Sequence, residues 1–360
     1  MKSSIEIGKI IGIPIKLHIT LLLVLPLFAY IFSMNEQFGF GGVPSQSLRY
    51  GLSITATLFL FLSILLHELA HSAVAIHYGS KVQSITLFLF GGVSSMGEMP
   101  RNPVFEFKMA IAGPLTSLAL GIVFLGIDKI LSIFGNNLYY FFGILGIINV
   151  VLFVFNMIPA FPMDGGRVLR AWLAGRMSYI KATRKAVSIG QMLAVGMGIL
   201  GLLVFNPWLI LIAFFVYIGA AEEGKATEMS VPLEGLKISD LMSKEVISIP
   251  PSMNLNELVD VMFERKHMGY PVMENGSLLG IVTFTDVRHV PPQKRGEVMV
   301  EEVMTRNIIS LHPDDSAEKA LQLLFTHNIG RLLVLSEQRL TGIVSRTDIV
   351  RSIQIFGDKL

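Results

Sequence analysis

The chain contains no cysteine among its 360 residues. This absence excludes a disulfide framework, a thiol nucleophile and a thiolate-bound metal, so any metal must be held by histidine and carboxylate side chains. Charge is also scarce, because Asp, Glu, Lys and Arg make up 16% of the residues, whereas hydrophobic residues make up 52%. Such a composition predicts a protein that lies largely in a membrane.

The few charges are nearly balanced and unevenly distributed. The formal net charge is +2, and no Lys/Arg run interleaved with aromatic residues is present, so we expect no nucleic-acid partner. Residues 1–221 contain the long uncharged runs, while residues 236–360 have ordinary charge density and strand-like alternation. This change in composition predicts a membrane domain at 1–222 and a polar linker at 223–236 that contains Pro232.

Apolar runs suggest six transmembrane helices, each of which requires about 20 residues. They occupy roughly 17–34, 50–77, 106–127, 138–158, 186–205 and 207–221. The first run lacks a small-residue cleavage site, so we expect a retained helix. With the N-terminus inside, most basic residues, including Arg167 and Arg170 as interfacial anchors, fall on the cytosolic side, and only Arg49 and Lys129 fall opposite. This asymmetry predicts a multi-pass cell-membrane protein with both termini in the cytosol.

An HExxH motif follows the uncharged run 52–66, as HELAH at 67–71. Residues four apart on a helix lie one turn apart on the same face, so His67 and His71 can bind one metal ion. Glu68 can then take a proton from the attacking water while zinc polarises the scissile carbonyl. The motif also occurs by chance in soluble helices, but ionisable residues inside a membrane span are costly and indicate function.

A catalytic zinc site commonly has three protein ligands and one open position. The fourth predicted span ends in NMIPAFPMDGG at 156–166, where prolines and glycines break the helix around Asp164. The predicted topology places Asp164 and the HExxH motif near the cytosolic ends of their spans, so the carboxylate can complete a site for one Zn²⁺ with His67 and His71. Taken alone, Asp164 could equally be a helix cap beside Gly165.

Together the two motifs resemble those of the site-2 proteases, which are intramembrane zinc metalloproteases. Residues 67–71 match the HExxH motif of that family, and 156–165 match its NxxPxxxxDG element. Two further matches are Gly-Gly-Val at 91–93 and Ala-Gly-Pro at 112–114. Ser117 stands where many members of the family have asparagine, so we assign it no catalytic role.

The resemblance implies cleavage of a peptide bond within or beside a transmembrane segment of a membrane-protein substrate. It assigns Asp164 to the zinc site and Asn156 to contact with the substrate or the oxyanion. A helical substrate must be unwound locally, because its amides are hydrogen-bonded inside the helix. The alternating segment 82–96 predicts a membrane-embedded β element whose edge, with Gly91 and Gly92, could hold the unwound chain. A re-entrant hairpin that only packs is the alternative.

An internal repeat of about 62 residues occupies the last third of the chain. GIVTFTD at 280–286 pairs with GIVSRTD at 342–348, and each copy has the pattern strand, helix, strand, strand, helix. The copies resemble a pair of cystathionine-β-synthase-type (CBS) domains at 237–290 and 299–358. The predicted fold class is therefore an α-helical polytopic membrane protein with about six transmembrane helices and a small β element, followed by an α/β tandem CBS pair.

The CBS resemblance implies that an adenosine nucleotide, ATP or AMP, binds at Thr283 and Asp286 and at Ser345 and Asp348. The hydroxyl would face phosphate and the carboxylate would face ribose, and occupancy would regulate the protease. An Asp in the first turn of a helix can instead be a plain capping residue. CBS pairs also serve as dimerisation modules, so a homodimer through this pair is a further expectation.

Two other functions fit parts of the sequence. A CBS-gated ion or solute transporter explains the membrane spans and the repeat, but not an HExxH motif and an Asp at this spacing. A non-catalytic membrane binding protein is disfavoured because the proposed metal ligands and base are all present. The sequence therefore favours an intramembrane zinc metalloprotease with its active site toward the cytosolic side.

Overall fold

The computed structural model describes residues 4–88, 91–96, 101–134 and 139–357. The chain divides into two compact units, Met1–Lys225 and Ala226–Leu360. The division falls inside a helix that continues to Ser230, so the first half of the predicted linker is helical.

In the described part of the chain, the first unit consists of seven helices and a four-stranded sheet. In chain order its elements are β1 (Ser4–Ile10), β2 (Ile13–His18), α1 (Leu21–Met34), α2 (Gln46–His77), β3 (Val82–Phe88), β4 (Gly91–Met96), α3 (Pro103–Ile133), α4 (Tyr139–Asn156), α5 (Asp164–Ala174), α6 (Tyr179–Leu203) and α7 (Pro207–Ser230).

Among the described residues, α2, α3 and α6 are long and apolar enough to cross a membrane, judged by length and composition, and α1 and Tyr140–Asn156 are shorter apolar helices. The first predicted span is shorter than expected, because Leu17 and His18 belong to β2 and the helix begins only at Leu21. The total of six spans stays a prediction.

The sheet has the strand order β1-β2-β3-β4, with β2 and β3 parallel and the two outer pairs antiparallel. The predicted β element at 82–96 forms β3 and β4, and an N-terminal hairpin with no clear sequence signal adds β1 and β2. Alternate residues such as Ile15 and Ile85 are buried and pack against Phe61 and Leu65 of α2. The sheet therefore lies on α2, the helix that carries the HExxH motif.

The polarity of the helical unit suits an apolar solvent. Large apolar side chains such as Leu23, Leu203 and Phe205 are exposed on its outside, whereas Glu106 and Asn149 are buried inside. Water disfavours a broad apolar surface, but lipid tails do not. The fold and composition are therefore those of a membrane protein.

The second unit consists of two similar α/β halves in the described residues. In chain order its elements are α8 (Ile238–Leu241), α9 (Leu255–Arg265), β5 (Gly269–Glu274), β6 (Ser277–Thr283), α10 (Phe284–Arg288), α11 (Val300–Val303), β7 (Ser310–Leu311), α12 (Ala317–Thr326), β8 (Arg331–Ser336), β9 (Arg339–Ser345) and α13 (Arg346–Gly357), with short 3-10 turns at Val231–Leu233 and Pro292–Lys294.

The two halves exchange their N-terminal segments. Leu233 and Ile238 precede the first repeat, or begin it, yet both are buried in the core of the second repeat, beside Leu324 and Val334. Val300, which begins the second repeat, is buried in the core of the first. Each core is therefore completed by a segment that belongs to the other copy, so the two packed cores do not coincide with the two sequence repeats.

Backbone hydrogen bonds follow the same exchange. Ser243, after α8, exchanges two hydrogen bonds of 2.9 and 3.1 Å with Ile343 of β9. Thr305, after α11, does the same with Ile281 of β6, at 2.9 and 3.0 Å. The two crossings are equivalent under the repeat, and both stabilise the pair as one folding unit.

The exchange predicts which repeat is loosened by a mutation in each crossing segment. Ile238→Ala should destabilise the core of the second repeat, by about 2–5 kcal/mol if the site does not collapse. Hydrogen–deuterium exchange of the full-length protein should then rise most in β8 and β9. Val300→Ala, at the equivalent position of the other repeat, is the matched control and should act most on β5 and β6. If hydrogen–deuterium exchange in Ile238→Ala instead rose most in β5 and β6, the swapped packing of the N-terminal segments would be contradicted.

Candidate functional site

Three polar side chains from distant parts of the sequence meet inside the helical unit. His67 and His71 lie on the buried face of α2, and Asp164 is the first residue of α5. Asp164 Oδ2 lies 3.1 Å from Nε2 of each histidine, and the two Nε2 atoms lie 3.1 Å apart. The structure therefore brings together the three residues that the sequence proposed as metal ligands.

The spacing of these atoms fits one small cation. Ligands at about 2.0–2.1 Å from a tetrahedral zinc are about 3.3 Å from one another, close to the observed 3.1 Å. Histidine Nε2 and carboxylate oxygen are also zinc ligands of the preferred kind. The donor set and its geometry therefore fit zinc.

The opposite ring nitrogens orient both imidazoles. His71 Nδ1 lies 2.7 Å from the carbonyl oxygen of Met109, which can only accept, so Nδ1 carries the proton and Nε2 of the neutral ring presents a lone pair. His67 Nδ1 lies 2.9 Å from Oγ of the buried Ser117.

Helix α3 approaches the two imidazoles without an intervening side chain. A Cβ atom placed on Gly113 would overlap Nε2 of both His67 and His71. Glycine is therefore required for steric reasons at the Ala-Gly-Pro element that the sequence analysis noted only as a match to the family.

Glu68 faces the sheet, beside the metal group. Its Oε2 accepts a 2.8 Å hydrogen bond from Ser94 Oγ on β4, and Ser94 Oγ lies 3.3 Å from Ser72 Oγ. Gly92 of the same strand packs directly against the Glu68 side chain, where a Cβ would overlap. The hydrogen bond from Ser94 therefore holds one carboxylate oxygen of Glu68 on the side of β4.

The remaining proposed residues of the helical unit have different surroundings. Asn156 is the last residue of α4, and its amide nitrogen donates a 2.9 Å hydrogen bond to the Leu152 carbonyl of the same helix. Gly91 begins β4 opposite Phe88 and has a positive φ of 133°. Thus Gly92 contacts the proposed base, whereas the hydrogen bond of Asn156 is to its own helix.

Asp164 is not the residue that caps α5. The N-cap position belongs to Met163, and Asp164 is the first helical residue, with its carboxylate directed at the imidazoles. Gly165 packs so closely on the preceding loop that a Cβ would overlap the Ile158 carbonyl oxygen. The alternative interpretation as a plain cap does not describe this geometry.

The interpretation of Arg170 as an interfacial anchor is wrong, because its side chain is only 7% exposed. It forms ion pairs with Glu106 of α3 and Glu223 of α7. In the predicted topology, Arg170 was one of many basic residues on the cytosolic side. Its only distinguishing signal was its position six residues after Asp164.

The four proposed nucleotide residues form two equivalent capping arrangements. Thr283 Oγ1 donates to Asp286 Oδ2 at 2.7 Å, and Ser345 Oγ donates to Asp348 Oδ2 at 2.7 Å. The same carboxylate oxygens accept from the backbone N–H of Thr283 and Ser345, at 2.7 and 2.8 Å. The carboxylates therefore cap their helices, as the alternative interpretation predicted.

Arg331 lies close to the second of these motifs. Its Nη1 donates a 2.6 Å hydrogen bond to the carbonyl of Gly269, the equivalent residue of the first repeat. Burial lowers the pKa of the Arg331 guanidinium, and the nearby Tyr270 and Asp348 oppose this shift. A partly buried cation therefore lies between the two repeats, on the side of Asp348.

Comparisons with known proteins agree with both units. Residues 55–135 and 127–197 match the family description Peptidase family M50, and residues 238–292 and 300–355 match CBS domain. A zinc metalloprotease of Methanocaldococcus jannaschii is 37% identical over 357 residues, which cover 99% of this chain and 97% of that protein. A protein of Mycobacterium tuberculosis named zinc metalloprotease Rip3 is 30% identical over 376 residues, covering 99% and 94% of the two chains.

A solved structure, the site-2 protease from Methanocaldococcus jannaschii, is 39% identical and covers 61% of this chain and 95% of its own, with a TM-score of 0.44. The sequence relationships define a zinc metalloprotease of the membrane. The chain belongs to the site-2 protease family, peptidase family M50, and carries a C-terminal CBS pair.

The close approach at Gly113 predicts a loss of metal on adding one methyl group. In Gly113→Ala the new Cβ must displace both imidazoles, so the purified protein should contain less than about a tenth of the wild-type zinc, a loss of the size seen when metal-site geometry is disturbed. The zinc content can be measured by inductively coupled plasma mass spectrometry. Gly126→Ala on the same helix, where a Cβ meets no atom within 4 Å, is the matched control. Full zinc content in Gly113→Ala would refute the assignment.

Proposed function

We propose that this protein hydrolyses a peptide bond within or near a transmembrane segment of a membrane-protein substrate, using one Zn²⁺ held by His67, His71 and Asp164. The observation that supports this most strongly is the convergence of the three ligand atoms from α2 and α5, with both imidazoles oriented from behind by α3. The open side of such a site is available for water and the scissile carbonyl.

The chain supplies the base and its orientation. When bound, zinc would polarise the scissile carbonyl and lower the pKa of water toward neutrality. Glu68 takes the proton from the attacking water on Oε1, because Oε2 is held by Ser94, and passes it to the leaving amine. The hydroxyl of Ser94 thus keeps the carboxylate of Glu68 from rotating away from the metal group.

The edge of the sheet is the proposed site for an unwound substrate. β4 is a terminal strand of the described sheet, and its Gly92 lies against Glu68. A chain added along β4 would use main-chain hydrogen bonds and would run beside the base. Gly91, where a Cβ would meet no atom within 4 Å, leaves room for that chain, and Gly92 would place it beside Glu68. Asn156 would contact the substrate or the oxyanion after releasing the Leu152 carbonyl.

Removal of the base should separate catalysis from metal binding. Glu68→Gln keeps the shape of the side chain but cannot accept the proton, so cleavage of a transmembrane reporter in proteoliposomes should fall by about 10²- to 10⁴-fold. Zinc content should stay at the wild-type level, while His67→Ala should lose the metal.

Glu6→Gln, at an exposed position on β1, makes the same chemical change away from the site and should cleave normally. Wild-type cleavage by Glu68→Gln would reject the mechanism. Wild-type zinc content in His67→Ala would reject the metal assignment.

We further propose that ATP or AMP binds the CBS pair and regulates the protease. The support is the presence of both Thr/Ser-x-x-Asp motifs, at 283–286 and 345–348, with Arg331 placed to attract a phosphate near Asp348. The proposed domain limits are 1–222, a linker at 223–236, 237–290 and 299–358. We also propose that the CBS pair and both termini are cytosolic and that the active site lies toward the cytosolic side. The protein would form a homodimer through the CBS pair.

Nucleotide binding can be tested without removing the helix caps. Asp286→Asn and Asp348→Asn keep a capping oxygen but lose a charged acceptor for ribose, so calorimetry of the full-length protein with AMP and ATP should show affinity reduced by about 10- to 100-fold. Asp240→Asn is the matched control, because Asp240 caps α8 in the same way outside the motifs. No heat with either nucleotide in the wild type would reject the proposal.

The transporter alternative lacks support from the site. Transport does not require two imidazoles and a carboxylate to share a cation-sized space beside a second carboxylate, and the family is one of proteases. The non-catalytic alternative would be favoured only if Glu68→Gln and the wild type were equally inactive.

A further inference from the structure

Arg170 and two glutamates form a buried charge network in the helical unit. Arg170 Nη2 and Nε lie 2.6 and 2.7 Å from Glu106 Oε1, and Arg170 Nη1 lies 2.6 Å from Glu223 Oε1. The guanidinium also lies over the rings of Phe161 and Tyr179, each 4.9 Å from the ring centroid. Five segments of the unit therefore meet at one side chain: α3, α5, α6, α7 and the loop that precedes α5.

Stability alone does not account for this network. Removing three charged side chains from water is expensive, and replacing such a triad with apolar residues is often neutral or stabilising. Glu106 Oε2 is also fully buried, which adds to the cost of removing this carboxylate from water. What the network does provide is a defined geometry, because the planar guanidinium fixes two carboxylates at set angles.

Arg170 fixes the position of α5 relative to α3 and α7, because its ion pairs join α5 to both helices. Asp164 and Arg170 lie on the same short helix, about 9 Å apart along its axis at 1.5 Å per residue. Phe161, which packs under the guanidinium, belongs to the loop that leads into Asp164. A shift of Arg170 would therefore move the carboxylate that lies between the two imidazoles.

Glu223 connects this network to α7. Its side chain is 31% exposed, more than those of Arg170 and Glu106, and it lies two residues before the end of the first unit at Lys225. The same helix continues to Ser230 in the second unit. A rotation or translation of α7 would act on Arg170 through this ion pair.

We propose that Arg170 is a positioning residue for the metal centre. It holds α5, and with it Asp164, against Glu106 on α3, and its pair with Glu223 makes the position of Asp164 depend on α7. The inference rests on the proposed role of Asp164 as a zinc ligand.

Metal affinity tests the proposal independently of proteolysis. In purified full-length protein, zinc affinity is measured by competition with a fluorescent chelator, and Co²⁺ is substituted to record the visible spectrum, which reports ligand geometry. Glu223→Gln and Arg170→Lys should each bind zinc about tenfold more weakly, the lower end of the effect of removing an outer-shell partner. Both should change the cobalt spectrum.

Matched controls lie beside each position. Glu222→Gln makes the same change one residue earlier, at a side chain that is 64% exposed and pairs with Lys225. Arg176→Lys changes an exposed arginine that stacks on Trp172 just after α5. Both controls should match the wild type in zinc affinity and cobalt spectrum. Circular dichroism during thermal unfolding verifies that each variant is folded.

The outcomes separate this proposal from the assignment of the metal site. Asp164→Ala is measured in parallel and should lose zinc. If it does, and folded Glu223→Gln keeps wild-type affinity and spectrum, the positioning role is wrong while the metal site stands. If Asp164→Ala binds zinc normally, the metal assignment itself fails. Should Arg170→Lys not fold, Glu223→Gln alone decides, and equal effects of Glu222→Gln and Glu223→Gln would overturn the proposal.

Discussion

One stripe of α3 supports the whole centre. The carbonyl of Met109 accepts from His71, the bare backbone at Gly113 lies against both imidazoles, and Ser117 contacts His67. These positions are four residues apart and so share one helix face. Glu106, one turn before Met109, begins the stripe and pairs with Arg170. Polar groups inside an apolar bundle need partners within the protein, and α3 supplies them for both imidazoles and for Arg170.

The sequence predicted which side chains meet at the candidate site because their signals are local. The spacing of His67 and His71 follows from the helical period, and the prolines and glycines around Asp164 mark the end of α4 without any knowledge of packing. The partners behind these groups have no local signal. Ser117 and Met109 are ordinary residues of an apolar helix, and only the approach of α3 to α2 makes them ligand-orienting groups.

Two further features depend on contacts between distant segments. The hairpin β1–β2 pairs in parallel with β3 across the whole of α1 and α2, and the first residues of the chain gave no sign of that partner. By its charge and its position in the sequence, Arg170 fits the positive-inside rule, but this rule treats every basic side chain as if it reached water. Burial between α3, α5 and α7 is what distinguishes Arg170, and burial is a property of the fold.

In the CBS pair, too, contacts between distant segments could not be predicted from the sequence, although the repeat is plain. The repeat identifies equivalent residues, yet symmetry alone is compatible with each N-terminal segment packing on its own copy or on the other. The structure has the second arrangement, and Leu233 therefore enters the core of the second repeat directly after α7 ends. Leu233 and Ile238 are thus buried in the second unit, whereas Glu223 pairs with Arg170 in the first. Because each core contains a segment from both repeats, neither copy can complete its packing without the other, and the pair must fold together.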